Sequence, residues 1–165
     1  GFTPEQFRMF HPGGLLGRKL MKVAEVMTPA RRLPWLKPTD SIWHVLETIT
    51  AGARGFAIVH DGDSADGIAI DQVGVISEGD IRRALSDREG FAGQTAGQVM
   101  TPNPTTIDPE ALMLDALRLM EANRFTFLLC TDGDGKFAGA VHMHEILARD
   151  LDIDVKTERL PNGPR

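Results

Sequence analysis

The chain repeats itself, and no other feature limits its possible folds so sharply. Val26-Met27-Thr28-Pro29 recurs as Val99-Met100-Thr101-Pro102, an offset of 73. At an offset of 71, Gly55-Phe56-Ala57-Ile58-Val59-His60-Asp61-Gly62-Asp63 falls on Thr126-Phe127-Leu128-Leu129-Cys130-Thr131-Asp132-Gly133-Asp134, with Pro38 on Pro109 and Leu46 on Leu117. At 65, Gly74-Val75-Ile76 falls on Gly139-Ala140-Val141 and Ile81 on Ile146. Collinear blocks of this kind mark a duplication. The drift in offset is absorbed in loops, chiefly the longer Ser64–Gln72 connection of the first copy. One copy of roughly 55 residues is marginal as an independent body. Two copies should therefore pack face to face, about a pseudo-two-fold axis.

Each copy reads as helix–strand–strand–helix, an α/β (α+β) unit. Ile42, Val45, Leu46 and Ile49 follow the i, i+3, i+4, i+7 spacing of an amphipathic helix entered from Pro38-Thr39. Its counterpart carries Leu112, Ala116, Leu117 and Met120, and Asp108-Pro109 suits the N-cap and N1 positions of that helix. Two apolar strands follow in each copy, joined through an Asp-Gly turn: Phe56–Val59 with Val73–Ile76, then Phe127–Cys130 with Phe137–Val141. A second helix carries Ile81, Ala84 and Leu85 on one face in one copy, Ile146 and Leu147 in the other. A short strand is expected ahead of each unit, at Leu33–Leu36 and Thr105–Ile107. The resulting division is 1–22 as linker, 23–89 and 96–151 as the two repeats, and 152–165 as a tail that Pro161-Asn162-Gly163-Pro164 leaves frayed.

Composition narrows the function classes. Eighteen Lys and Arg against 23 Asp and Glu give a net charge of −5, which argues against a nucleic-acid or anionic-membrane binder. The excess is uneven: residues 1–32 carry six basic and two acidic side chains. With 42% hydrophobic residues the chain is ordinary globular material. A single cysteine, Cys130, excludes an internal disulfide framework and fits a reducing, cytoplasmic setting. The longest apolar runs fall far short of the roughly 20 residues of a membrane span. The first residue is Gly rather than Met, so we expect a piece of something larger.

The repeated Met-Thr-Pro opening, the two-strand body and the Gly-Val-Ile-Ser-Glu-Gly-Asp close (Gly74–Asp80) resemble a pair of cystathionine-β-synthase (CBS) domains, a Bateman module, over about Val23 to Leu151. The N-terminal segment narrows the likeness. Read from spacing alone, His11-Pro12-Gly13-Gly14-Leu15-Leu16-Gly17-Arg18-Lys19-Leu20 is a linker. It also resembles the junction of D-arabinose-5-phosphate isomerases, in which a sugar isomerase (SIS) domain runs into a CBS pair. Glu78-Gly79-Asp80-Ile81-Arg82-Arg83 and Val141-His142-Met143-His144-Glu145-Ile146-Leu147 are similar to that family's closing motifs. The resemblance implies that the parent interconverts ribulose 5-phosphate and arabinose 5-phosphate, on the way to lipopolysaccharide or capsule sugars. It further implies that His11 is a catalytic acid/base and that an SIS domain stands in cis. Without that domain's phosphate pocket, residues 1–165 are expected to be inactive.

Individual residues support two readings each. Ser77 follows a strand and Asp80 stands three residues later, so the pair can cap a helix and need no ligand. By resemblance, Ser77 would touch a phosphate and Asp80 a ribose diol, on a helix N-terminus suited to anions. Arg82 and Arg83 are surface charge or phosphate ligands. In the second copy His142 replaces the hydroxyl residue and Glu145 the aspartate, with His144 between them, so an adenosine-type site there is in doubt. Two histidines without a third His or a Cys nearby do not make a metal site. Asp61–Gln72 departs from a calcium loop at its sixth and twelfth positions. No metal or cofactor is assigned, and Cys130 is read as core.

The sequence thus points to a regulatory module that binds a nucleotide or nucleotide-sugar effector between its repeats, in a homo-oligomer joined through CBS pairs. The alternatives are a structural, oligomerising module without ligand and a free-standing sensor of adenine nucleotides. Of the two motifs, the first should form the stronger anionic site and the second one of different chemistry, titrating near the ordinary histidine value.

Overall fold

The structure is a computed structural model that describes residues 21–148. His11, most of the expected linker and the expected tail lie outside the described residues. In chain order the elements are β1 (Thr28–Pro29), β2 (Trp35–Leu36), α1 (Ile42–Gly52), β3 (Phe56–Val59), β4 (Gly74–Ser77), α2 (Glu78–Ala84), α3 (Ala96–Val99), β5 (Thr101–Pro102), β6 (Thr106–Ile107), α4 (Met113–Asn123), β7 (Phe127–Thr131) and β8 (Phe137–His142). Residues 143–148 are helical. Single turns of 3-10 helix punctuate the connections, one of them at Ile70–Gln72.

Two four-stranded sheets result, ordered β2-β3-β4-β5 and β1-β8-β7-β6. Each has a parallel edge pair, β2 on β3 and β6 on β7, followed by antiparallel pairs. At one edge of each sheet the outermost strand comes from the other repeat. Thr28-Pro29 lies antiparallel to β8 of the second repeat, Pro29 opposite Gly139, and Thr101-Pro102 lies against β4 of the first, Pro102 opposite Gly74. The Met-Thr-Pro motif therefore belongs to the partner unit in space, a departure from two self-contained repeats.

The strands read as unbroken apolar runs because both their faces are buried. Ala57, Val59 and Ile76 face the first repeat's helices, packed with Ile42, Val45, Ile49 and Ile81. The alternate residues Phe56, Ile58 and Val75 meet Leu129, Phe137 and Ala140 from the other sheet. The second repeat packs Met113, Ala116, Met120, Leu128, Val141 and Ile146 in the same way. Cys130 is wholly buried in that cluster, and burial, then the charges of Asp108 and Glu145, push its thiol up to about 12. A thiol so held stays protonated and acts as a small apolar side chain.

Local chemistry explains most boundaries. Ser41 caps α1, its Oγ accepting from the His44 N–H at 3.3 Å. The expected Asp108-Pro109 cap of α4 does not form. Leu112 holds the N-cap position, and Asp108 Oδ1 accepts the Glu110 N–H at 2.8 Å in a turn one step earlier. Asp prefers such local backbone bonds wherever the chain turns, and a helix start is only one case. The buried face of α4 accordingly begins at Met113. In the second repeat Asp132 closes the expected tight turn, accepting from Asp134 and Lys136. The longer first-copy loop instead crosses to the other repeat: Phe137 N–H donates to Ile68 O and Ile70 N–H to Gly135 O. Met21 and Lys22, read as linker, pack on the second repeat, where Met21 O accepts the Met113 N–H.

Candidate functional site

A cleft of about 720 Å³ opens between the repeats. Its first wall is the β4–α2 junction, with Ser77, Glu78, Gly79, Asp80, Arg82 and Arg83. Thr101 and the Asn103–Thr105 turn form its floor, and the α4–β7 connection from Asn123 to Phe127, with His142 and His144, forms the far wall. The structure thus brings Ser77, Asp80, Arg82, Arg83, His142 and His144 onto one cavity. Glu145 is not among the lining residues.

At the α2 N-terminus the chain builds a closed hydrogen-bond node. Asp80 is 5% exposed, unusual for a carboxylate. Its Oδ2 accepts from Ser77 N–H and Ser77 Oγ–H, both at 2.7 Å, while Oδ1 accepts from Thr101 Oγ–H at 2.9 Å and from Arg83 Nη2. The Ser77–Asp80 capping box is formed, as the spacing predicts. Burial alone would raise the Asp80 carboxyl. The hydrogen bonds from Ser77 and Thr101 and the charge of Arg83 outweigh it and hold the group below the usual carboxylate range.

The second repeat rebuilds this node from different residues. Glu145 Oε2 accepts the His142 N–H at 3.2 Å, and His142 Nδ1 accepts the His144 N–H at 3.1 Å. Glu145 thus reproduces the Asp80 half of that capping, while the His142 ring caps the N–H two residues on rather than three. Glu145 Oε1 accepts from Thr28 Oγ–H at 2.8 Å, as Asp80 does from Thr101. Its cation differs in origin: Arg54 Nη1, from the first repeat, pairs with Glu145. Because Nδ1 accepts, neutral His142 carries its proton on Nε2. Burial, then the neighbouring His144, push the His142 pKa below its ordinary value. It therefore titrates below the ordinary histidine range expected for this motif. Its ring stacks on His144 at 5.0 Å.

Further lining residues went unassigned in the sequence. Thr101 could have been found, since the Met-Thr-Pro repeat holds a threonine in both copies. Arg54, Arg124, Asn103 and Phe125 carry no local motif. A backbone signal marks three cleft positions instead. Ala53 (φ 50°), Asn103 (φ 49°) and Arg124 (φ 57°) are the non-glycine residues with positive φ among the described residues, and all three line the cleft. At Ala53 and Arg124 this conformation is the left-handed C-cap of α1 and of α4, so the cleft lies at the ends of equivalent helices.

The CBS domain family model matches residues 23–87 and 96–152. Among characterised proteins, arabinose 5-phosphate isomerase KdsD of Yersinia pestis is 36% identical over 148 residues, covering 89% of this chain and 43% of that protein. The isomerase KpsF of Escherichia coli is 33% identical over 145 residues, 87% of this chain and 42% of that protein. The chain therefore spans less than half the length of these relatives. Among solved structures, CBSX2 of Arabidopsis thaliana, crystallised in complex with AMP, is 26% identical with a TM-score of 0.63, over 81% of this chain and 98% of that one.

Proposed function

The chain belongs to the CBS domain family, as a tandem pair homologous to the CBS region of arabinose 5-phosphate isomerases, and we propose that it is their regulatory module, binding a nucleotide or nucleotide-sugar in the cleft. The observation that carries this reading is the composition of the cleft. Arg54, Arg82, Arg83 and Arg124 converge there against Glu78 and Asp80, beside the hydroxyls of Ser77 and Thr101. Guanidinium forks meet phosphate oxygens two at a time. Phe125, an exposed aromatic on the far wall, offers a face for a base to stack on. The Nε2–H of neutral His142 supplies a donor without adding charge. Asp80 and Ser77 would hold sugar hydroxyls and phosphate, the Asp80 contact becoming available when Arg83, exposed over 72% of its side chain, turns to the phosphate. AMP bound to CBSX2, a protein of the same fold, supports a nucleotide.

In the parent, His11 would act as an acid/base in an SIS domain lying in cis, and the effector would bias that domain's packing. The parent's reaction would be the aldose–ketose interconversion of a pentose 5-phosphate in the cytoplasm, with the chains joined as homo-oligomers through CBS pairs. Among the described residues, no helix is long and apolar enough to cross a membrane. The structural alternative draws on one observation, that the Asp80 carboxylate is already fully bonded within the chain.

Thermal unfolding with AMP, ATP, CMP and a cytidine-linked sugar acid separates the two. A ligand at about 100 times its Kd adds about 2.7 kcal/mol to stability. At least one compound should raise Tm, and Asp80→Ala should bind it more weakly than Glu145→Ala does. No shift with any of them favours the structural module. In a parent carrying the SIS domain, His11→Ala should sharply lower kcat and leave the CBS pair folded.

A further inference from the structure

Arg54 belongs to two places at once. It lines the cleft, yet its guanidinium is paired with Glu145, which does not. The two nodes differ on this point. Arg83 stands three residues after Asp80, both line the cleft, and that pair lies within one helix of one repeat. The Arg54–Glu145 pair instead joins the first repeat to the helix that opens at residue 143, at side-chain exposures of 30% and 26%. Arg54 follows directly on Ala53, the left-handed C-cap of α1, and precedes Gly55, left-handed at φ 72°, so it leaves the end of that helix at the rim of the cleft.

We propose that Arg54 exchanges partners: an anionic group of the effector draws its guanidinium away from Glu145 and so loosens the second repeat's last helix. This rests on the reading of the cleft as an effector site and adds the route by which binding is felt outside it. Glu145 and the effector's phosphate compete for one cation. Binding is thus opposed by the Arg54–Glu145 pair and by linkage weakens it, and a carboxylate without that anchor is free to move from Thr28 and the His142 N–H. A Glu145 that merely aimed Arg54 at the effector would have the opposite effect on affinity, so the sign decides.

The test is calorimetric titration of the full chain and its variants with AMP and, as a base-free probe, inorganic pyrophosphate. Glu145→Gln keeps the shape and removes the charge, and should bind at least one probe about fivefold more tightly, the worth of an ion pair of this exposure. Arg54→Gln should bind about tenfold more weakly. Amide exchange checks the route: on saturation of the parent, the His142 N–H should lose protection, and in Glu145→Gln it should be less protected from the start. Unchanged or weakened binding by a folded Glu145→Gln overturns the exchange and leaves the cleft as a binding site. Failure of both probes to bind any variant overturns the exchange, and with no thermal shift from any compound of the wider panel the effector site falls as well. If Glu145→Gln melts before titration, Glu145→Asp, which shortens the reach to Arg54, carries the same predicted tightening.

Discussion

Asp80 and Glu145 occupy corresponding positions and perform the same structural task with opposite consequences. Each accepts the backbone N–H three residues earlier, a threonine hydroxyl delivered by the other repeat, and one arginine. Asp80 is short and stays at the root of its helix, where its arginine is a neighbour on the same turn. Glu145 has one more methylene and reaches across the boundary to Arg54. Its companion changes with it, since a longer imidazole stands where Ser77 stands, with Nδ1 turned back to the backbone. Duplication preserved the helix start and the threonine contact. It did not preserve the cation: the first node draws its arginine from its own helix, the second from the other repeat.

Four experiments press on this comparison. The largest difference is expected at the glycines that face the exchanged prolines. A Cβ at Gly139 would lie 2.2 Å from the backbone oxygen of Thr28, whereas at Gly74 it meets Met100 Sδ, the end of a flexible side chain. Gly139→Ala should cost about 3 kcal/mol and Gly74→Ala about 1 kcal/mol or less, read by urea unfolding. Similar losses at both would mean that the two exchanged strands are equally tight. Next is Asp80→Asn, which removes the charge from a buried node and should cost about 2 kcal/mol at pH 7. Because the folded state holds the Asp80 carboxyl low, its stabilisation is complete above the unfolded value near 3.9 and is lost as pH falls through the folded value. Parent and variant should therefore converge in stability only below about pH 4. Convergence at a higher pH would refute a depressed carboxyl.

A smaller effect of opposite sign is expected at Arg124, the left-handed C-cap of α4. Arg124→Gly should raise stability by about 0.5–1 kcal/mol while weakening nucleotide binding. A gain in stability with unchanged affinity would take Arg124 out of the binding set. The smallest change concerns His142. Its folded pKa is depressed, so between the unfolded value near 6.5 and that lower value the unfolded chain binds the extra proton. Stability should fall modestly as pH drops below about 6.5, and His142→Gln should flatten that part of the profile.

Much of the fold was legible because duplicated sequence shows twice where an element must be. The β3 run Phe56–Val59 and the α1 stripe of Ile42, Val45 and Ile49 stand where periodicity puts them. The strand exchange was invisible, since a two-residue strand carries no periodicity and a sheet partner is a property of three dimensions. The Asp108-Pro109 cap failed because the same residues favour a turn just before the helix. Within the cleft, Ser77 and Asp80 were findable from a local spacing. Arg54 was not, because its meaning comes from Glu145, 91 positions away in sequence.

The exchange of Thr28-Pro29 and Thr101-Pro102 also governs how the chain can come off the ribosome. When the first repeat has emerged, its sheet still lacks the strand that closes on β4, and its own leading strand has nothing to pair with until Gly139 and Ala140 are made. An early-synthesised half would wait with the Gly74–Val75 edge open, a surface prone to pairing with other chains. Such long-range closures are slow to form because a large loop must be ordered first. Splitting the gene between the repeats should thus yield two poorly soluble halves that recover only when made together. The last step of folding would then be the mutual docking of the two Thr-Pro strands.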